Sequence, residues 1–148
     1  MAVEMNYTNI LVPVDGSKEA EAALKQAIEI AKRNHADLHI LHVIDTRAFQ
    51  NVADFKTAMV EEVAETAKKT MDGYLKQAQD SGVEQVEYTI EYGSPKNIIG
   101  HQAVEKYGID LIIMGATGLN TIERFLIGSV TEYVTPSAKV DTLIVRAD

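Results

Sequence analysis

The residues of this chain best suited to chemistry are glycines that follow an apolar run. Gly115 and Gly118 enclose Ala116-Thr117, and nine further residues separate Gly118 from Gly128-Ser129. Glycine lets the backbone approach a ligand closely, and the first amides of a helix point unpaired N–H groups at an anion. A strand, a glycine loop and Gly-Ser at a helix start therefore predict a phosphate-binding cradle. A glycine loop after a strand is also often only a tight turn, and that alternative stays open.

The net charge and the absence of known motifs limit the classes of ligand and activity that such a site could have. The formal net charge of −8 at pH 7 argues against a nucleic-acid or anionic-membrane surface, because both depend on clustered Lys and Arg. Any phosphate must then be held locally, by amides alone or by amides together with a metal ion. The sequence contains neither the Walker GxxxxGK[ST] motif nor the dinucleotide GxGxxG motif. No catalytic triad or water-activating carboxylate pair is evident, so binding is better supported than hydrolysis and no catalytic residue is assigned.

Length and composition predict one globular domain over residues 1–148. Hydrophobic residues make up 46% and charged residues 24%, which is the ordinary balance of a soluble chain. The sequence has no cysteine, which excludes disulfides and thiol catalysis and fits a reducing compartment. The stretch MAVEMNYTN does not have the pattern of a signal peptide, and no apolar run approaches the roughly 18 residues that span a bilayer. We therefore expect a cytoplasmic protein without a membrane segment.

Strands and helices alternate along the sequence around these glycines. Strands are predicted over 9–15, 37–45, 83–92, 111–114 and 142–146, and helices over 18–34, up to 80, 95–107 and from 128. A loop is predicted over 46–54. The strict alternation over 83–92 indicates a half-exposed edge strand, and Ser17 and Ser94 are candidate N-caps. This alternation predicts an α/β fold with a parallel sheet and helices on both faces.

Ligands of such sheets bind beyond the carboxyl ends of the strands, where the winding direction reverses. Pairing the first strand with the fourth would place Asp15 beside Gly115. The Asp15 carboxylate could then accept hydrogen bonds from amines or ribose hydroxyls, or it could merely cap the first helix together with Ser17. Because no periodicity reveals strand order, this pairing is a hypothesis.

The sequence resembles the universal stress protein family over almost its whole length. Nucleotide-binding members carry Gly, two residues, Gly, nine residues, then Gly and Ser or Thr, and this chain has that pattern from Gly115 to Ser129. The segments ILVPVDGS, LHVID and TLIVR also resemble the family and occur in the family's order. One departure is Asp141, which stands where many relatives have proline and alters only the entry to the last strand.

The resemblance implies a Rossmann-like, doubly wound fold with a five-stranded parallel sheet in the order 3-2-1-4-5. It also implies ATP binding, commonly with Mg or Mn on the phosphates, and a homodimer through the last strand, Thr142 to Arg146. Metal ligands from protein side chains are not assigned. The residues carried over to the adenosine end are Pro13, Val14, Asp15, Val43, Met114 and Gly115. Those carried over to the phosphates are Gly118, Gly128, Ser129, Val130 and Thr131.

The function implied is a cytoplasmic, ATP-binding stress-response protein whose nucleotide occupancy alters dimer shape or the choice of a protein partner. The sequence does not identify that partner. Two alternatives stay open, namely an interaction dimer that binds no nucleotide and a slow ATPase.

Overall fold

One five-stranded parallel sheet forms the centre of the fold. The computed structural model describes residues 6–49, 57–117 and 127–147. The strands are β1 (Asn9–Pro13), β2 (Asp37–Asp45), β3 (Val86–Gly93), β4 (Leu111–Gly115) and β5 (Asp141–Val145). Their spatial order is β3-β2-β1-β4-β5, and every neighbouring pair is parallel. The predicted strand order is therefore confirmed, with β3 at one edge of the sheet.

Helices cover both faces of the sheet, as predicted. They are α1 (Lys18–Asn34), α2 (Thr57–Asp80), α3 (Pro95–Asn97), α4 (Ala103–Tyr107) and α5 (Ser129–Ser137), with a π-helical turn at Ile98–Gln102 and a 3-10 turn at Thr46–Phe49. Buried residues of α1 and α2 pack with Ile10 and Val12 on one face. On the other face, Leu11 and Ile112 pack with the helical segment of Ile99 and with Val134 of α5. The strands β1 and β4 are thus buried on both faces, which explains their unbroken apolar runs.

Several predicted boundaries were wrong. β3 begins at Val86 rather than at Val83, because the Val83 amide donates to the Ala78 carbonyl at the end of α2. β1 ends at Pro13 rather than at Asp15, whose carboxylate accepts from the Ser17 amide and turns the chain.

Two further elements differ from the prediction. Part of the loop predicted over 46–54 is the turn Thr46–Phe49, which begins where the Arg47 amide donates to the Asp45 carboxylate. The last strand runs over Asp141–Val145 instead of 142–146. Ser94 precedes α3 as predicted, but its side chain makes no capping hydrogen bond with the described residues.

Polar contacts at the amino ends of β1 and β4 set how these central strands pair. The Asp110 carboxylate accepts from the Thr8 amide at 2.8 Å and from the Asn9 amide at 3.0 Å. The Asp110 amide donates in turn to the Asn9 carbonyl at 2.9 Å. Ile10 is thereby held opposite Leu111, and the carboxyl ends of the two strands come to the same edge of the sheet.

Gly115, the last residue of β4, lies against the first turn of α1. A Cβ atom added to Gly115 would lie 2.9 Å from the carbonyl carbon of Glu19 and 3.1 Å from the Ala20 nitrogen. Because both neighbours are backbone atoms, they can yield only if α1 moves. Glycine is therefore required here for packing, whatever its part in a site.

We expect Gly115→Ala to lower the free energy of unfolding by about 1–3 kcal/mol through overpacking. Urea unfolding followed by circular dichroism measures this change. Gly73→Ala is the matched control, because no described atom lies within 4 Å of its added Cβ within α2. Alanine is more stable than glycine in a helix interior, so the free energy of unfolding of the control should rise by about 0.5–1 kcal/mol. Equal stability of the Gly115 variant and the wild type would contradict the close approach.

Candidate functional site

A cavity of about 350 Å³ opens at the carboxyl ends of β1, β2 and β4. This is the place where the chain's winding direction reverses, with α1 leaving β1 on one face and α5 following β4 on the other. The cavity is lined by every predicted site residue that the structure describes: Pro13, Val14, Asp15, Val43, Met114, Gly115, Gly128, Ser129, Val130 and Thr131. Gly118 lies outside the described residues. The structure thus brings together residues from four separate segments of the sequence.

Six residues that line the cavity were not predicted from the sequence: Ala20, Leu41, Asp45, Pro95, Ile99 and Thr117. Leu41 and Asp45 lie two positions before and after Val43, so strand alternation could have placed them on the same face as Val43. For Pro95 and Ile99 no local signal exists, because their proximity depends on how the segment after β3 packs on the sheet.

One end of the cavity is apolar. Leu41, Ile99 and Met114 are each at most 5% exposed and pack in the core cluster that Val43 adjoins. These side chains form a wall suited to a flat apolar group such as a nucleobase.

The backbone of Val43 is available at this apolar end. The Val14 amide donates to the Leu41 carbonyl at 2.8 Å, so Leu41 directs its carbonyl towards β1. Residues two apart in a strand direct their polar backbone groups to the same side, and Val43 therefore also faces the β1 side. Because β1 ends at Pro13, opposite Leu41, Val43 extends past the last residue of that strand. Its N–H and C=O groups can read the edge of a base.

The other end of the cavity is formed by the first turn of α5. The Glu132 amide donates to the Gly128 carbonyl, which is the first bond of the helix. The amides of Ser129, Val130 and Thr131 precede that bond and therefore have no partner within the helix. Gly128 has an extended backbone, and no described side chain caps this helix start. Such amides, with the positive end of the helix dipole, favour an anion.

Two hydrogen bonds attach the start of α5 to the end of β4. The Gly128 amide donates to the Ala116 carbonyl at 2.7 Å, and the Thr131 hydroxyl donates to the Gly115 carbonyl at 2.8 Å. Thr131 is only 4% exposed, so its hydroxyl hydrogen is committed to this internal bond. Thr131 therefore positions the helix, and its backbone amide is what it can offer to a ligand.

Asp15 makes the helix-start contact that its sequence position suggested, and it is also placed where a ligand could bind. One carboxylate oxygen accepts from the Ser17 amide at 3.0 Å, and the Ser17 hydroxyl accepts from the Ala20 amide at 3.1 Å, which starts α1. The Asp15 side chain is exposed and lines the cavity as well. Its second oxygen can therefore accept from a ligand hydroxyl. By contrast, the Thr117 amide already donates to the Glu19 carboxylate at 3.2 Å.

The described lining of the cavity carries negative charge, from Asp15 and Asp45, and contains neither lysine nor arginine. Asp45 stays ionised because hydrogen bonds from the Arg47 side chain hold its pKa below the usual range of a carboxyl group. Across residues 6–49, 57–117 and 127–147, no cluster of three His, Asp or Glu side chains is placed to hold a metal. Phosphates here would be held by amides and by a cation that they bring with them.

A second cavity, of about 360 Å³, borders Val14 and Asp15 on the α2 side of the sheet. His42 donates from Nδ1 to the Val14 carbonyl at 2.8 Å on this side, since a carbonyl can only accept. The α2 residues that line the cavity, among them Glu62 and Thr66, lie inside a helix whose amides are used by the helix itself. This cavity therefore offers little to a phosphate.

None of the helices that the structure describes combines the length and apolar character needed to cross a bilayer.

Comparisons with known proteins agree with the fold. The family described as the universal stress protein family matches residues 6–146 of this chain. A Staphylococcus aureus (strain USA300) protein that carries the provisional name universal stress protein is 41% identical, over 97% of this chain and 87% of its own length. Universal stress protein UspA from Lactobacillus plantarum is 36% identical, with a TM-score of 0.88 over 97% of this chain and 100% of its own.

A third similar structure is a universal stress protein solved in complex with cAMP. It is 25% identical to this chain, with a TM-score of 0.69 over 96% of this chain and 98% of its own. The family match, the identity to relatives over nearly the whole chain and the shared sheet topology all lead to one assignment. This chain belongs to the universal stress protein family.

Proposed function

We propose that this chain is a cytoplasmic ATP-binding stress-response protein and that nucleotide occupancy governs its dimer shape or its choice of protein partner. The observation that carries the proposal is that one cavity has an apolar wall at one end and, at the other, the first amides of α5, which have no partner within the helix. A nucleotide changes in the same order along its length, from a largely apolar base through the ribose to the charged phosphates. The similar structure in complex with cAMP supports an adenine nucleotide as the ligand class.

The residues present fit a nucleotide with a bound cation. The base would lie against Leu41 and Met114, with its edge at the Val43 backbone, and the ribose would lie near Asp15. The phosphates would accept hydrogen bonds from the amides of Ser129 and Val130. Mg or Mn would supply the positive charge that the described lining lacks.

Binding remains better supported than hydrolysis. ATP hydrolysis requires a group that orients a water molecule in line with the terminal phosphate. In the proposed arrangement the two carboxylates of the described lining lie away from the terminal phosphate, Asp15 near the ribose and Asp45 at the end of β2 that receives the base. A slow ATPase is therefore the weaker alternative, as is an interaction dimer that binds no nucleotide.

Two measurements on the wild-type chain test the proposal. A heat extract of one freshly purified sample is run on ion-exchange chromatography to identify any co-purified nucleotide. A second, unheated sample is titrated with Mg-ATP by isothermal calorimetry. We expect saturable binding of one nucleotide per chain and no phosphate release above a no-protein control. A chain without co-purified nucleotide and without measurable heat of binding at millimolar ATP would contradict the proposal and favour the nucleotide-free interaction dimer.

The homodimer is proposed to form through β5. This strand lies at the edge of the sheet, and among the described residues only β4 pairs with it. An open strand edge with apolar side chains favours pairing with another chain, and pairing with its own copy gives a closed two-fold dimer. Leu143 supports this interface because it is 38% exposed in the single chain.

Leu143→Lys is expected to convert the dimer into a monomer, because two lysines would face each other across a two-fold axis. Multi-angle light scattering on a sizing column measures the mass. Met59→Lys on α2 is the control, since Met59 is similarly exposed, at 44%, but α2 packs against β2 and β3, on the side of the sheet away from β5. A Leu143→Lys protein that stays dimeric would place the interface elsewhere.

A further inference from the structure

We propose that Asp45 is a specificity-determining residue, whose carboxylate accepts a hydrogen bond from the 6-amino group of a bound adenine. This inference rests on the proposed nucleotide function and extends it to the choice of base. It follows from where Asp45 lies, how it is held and which ligand groups can satisfy it.

Asp45 lies at the apolar, base-accepting end of the cavity. It is the last residue of β2 and comes two positions after Val43 and four after Leu41, so the three side chains share one face of the strand. All three line the cavity. On its other side β2 stays paired with β3 as far as Asp45, opposite Gly93, whereas β1 has ended opposite Leu41. The end of β2 is therefore rigid on one side and open on the side where a base edge would lie.

Arg47 holds the Asp45 carboxylate in one orientation. The Arg47 Nε donates to Oδ1 at 2.9 Å, Nη2 donates to Oδ2 at 2.7 Å, and the Arg47 amide donates to Oδ1 at 3.0 Å. A carboxylate has about four acceptor positions, so these bonds leave one open, on Oδ2. The guanidinium also lowers the pKa of Asp45, chiefly through its side-chain hydrogen bonds, which keeps the group ionised at neutral pH.

An ionised carboxylate can only accept hydrogen bonds, so the ligand atom facing it must be a donor. The hydrogen-bonding edge of adenine has a single donor, the amino group at C6. That amino group carries two hydrogens, so the Val43 carbonyl can accept one of them while the Asp45 carboxylate accepts the other. A purine without the amino group would cover the carboxylate, which is 34% exposed in the single chain, and would leave the open position on Oδ2 without a donor.

The test compares ATP with purine riboside 5′-triphosphate, which differs from ATP only by lacking the 6-amino group. Both are titrated as magnesium complexes into the wild type and Asp45→Ala. We expect the wild type to bind purine riboside triphosphate about tenfold more weakly than ATP, the usual value of one hydrogen bond to a charged group. In Asp45→Ala the discrimination should fall to about threefold, because only the neutral Val43 carbonyl is left to accept from the amino group.

Asp37→Ala is the matched control, since Asp37 is the exposed first residue of the same strand, at the opposite end of the sheet. It should keep the full tenfold discrimination. If Asp45→Ala keeps that discrimination as well, the inference is overturned while the proposed function stands. If the wild type binds neither triphosphate, the proposed function fails, and the inference with it. Circular dichroism of each variant establishes that loss of discrimination does not reflect unfolding.

Discussion

Ser129→Pro should weaken Mg-ATP binding by about tenfold to a hundredfold, because it removes one amide that faces the phosphates. Ser129 is the first residue of α5, where proline is tolerated, since the amide at that position has no partner in the helix. The preceding residue, Gly128, has φ −63° and ψ 153°, which is the extended conformation that a following proline requires. The helix should therefore persist while the site loses a donor.

Ser129→Ala is the matched control for this variant, because it removes the hydroxyl and keeps the amide. We expect it to bind Mg-ATP within about threefold of the wild type if the backbone supplies most of the attraction. Isothermal titration of both proteins, with circular dichroism of each, measures the difference. Equal affinities for the proline and alanine variants would show that the start of α5 does not hold the phosphates.

Removal of divalent cations should weaken ATP binding by about tenfold to a hundredfold. Each phosphate chain brings several negative charges towards a described lining that contains neither lysine nor arginine. The lining carries the Asp15 carboxylate as well, whereas the charge of Asp45 is offset by Arg47. Amides alone offset only part of that repulsion, and a bound Mg or Mn offsets the rest. The measurement is the same titration with EDTA in place of magnesium.

Adenosine is the control ligand for the cation experiment. It carries the same base and ribose without phosphates, so EDTA should leave its affinity unchanged. If ATP binds equally well with and without divalent cations, the positive charge must come from residues outside the described lining. That result would show that ATP binding needs no divalent cation, while leaving the cavity as the proposed binding site.

Much of the fold could be predicted because its signals are local. The apolar run over 111–114 predicted a strand and the alternation over 83–92 predicted an edge strand, and the structure has β4 and β3 there. The spacing from Gly115 to Gly128 predicted that a strand end and a helix start would meet. The bonds from Gly128 to Ala116 and from Thr131 to Gly115 confirm that contact.

What could not be predicted depends on contacts between distant parts of the chain. The start of β3 moved because Val83 closes α2 instead of joining the sheet. The Thr131 hydroxyl could not be assigned to the Gly115 carbonyl until the packing of α5 was known. In the sequence, Asp45 is only the last residue of a predicted strand. Its position in the cavity lining and its hydrogen bonds with Arg47 are visible only in the structure.

The most direct test of the account is a titration of isotope-labelled protein with Mg-ATP, followed by amide chemical shifts in two-dimensional NMR spectra. If ATP binds in this cavity, we expect the largest shifts at the amides of Val43, Gly115, Ser129 and Val130, which border it from opposite ends. Shifts confined to the cavity beside α2, at residues such as Thr66, with the α5 amides unchanged, would contradict it.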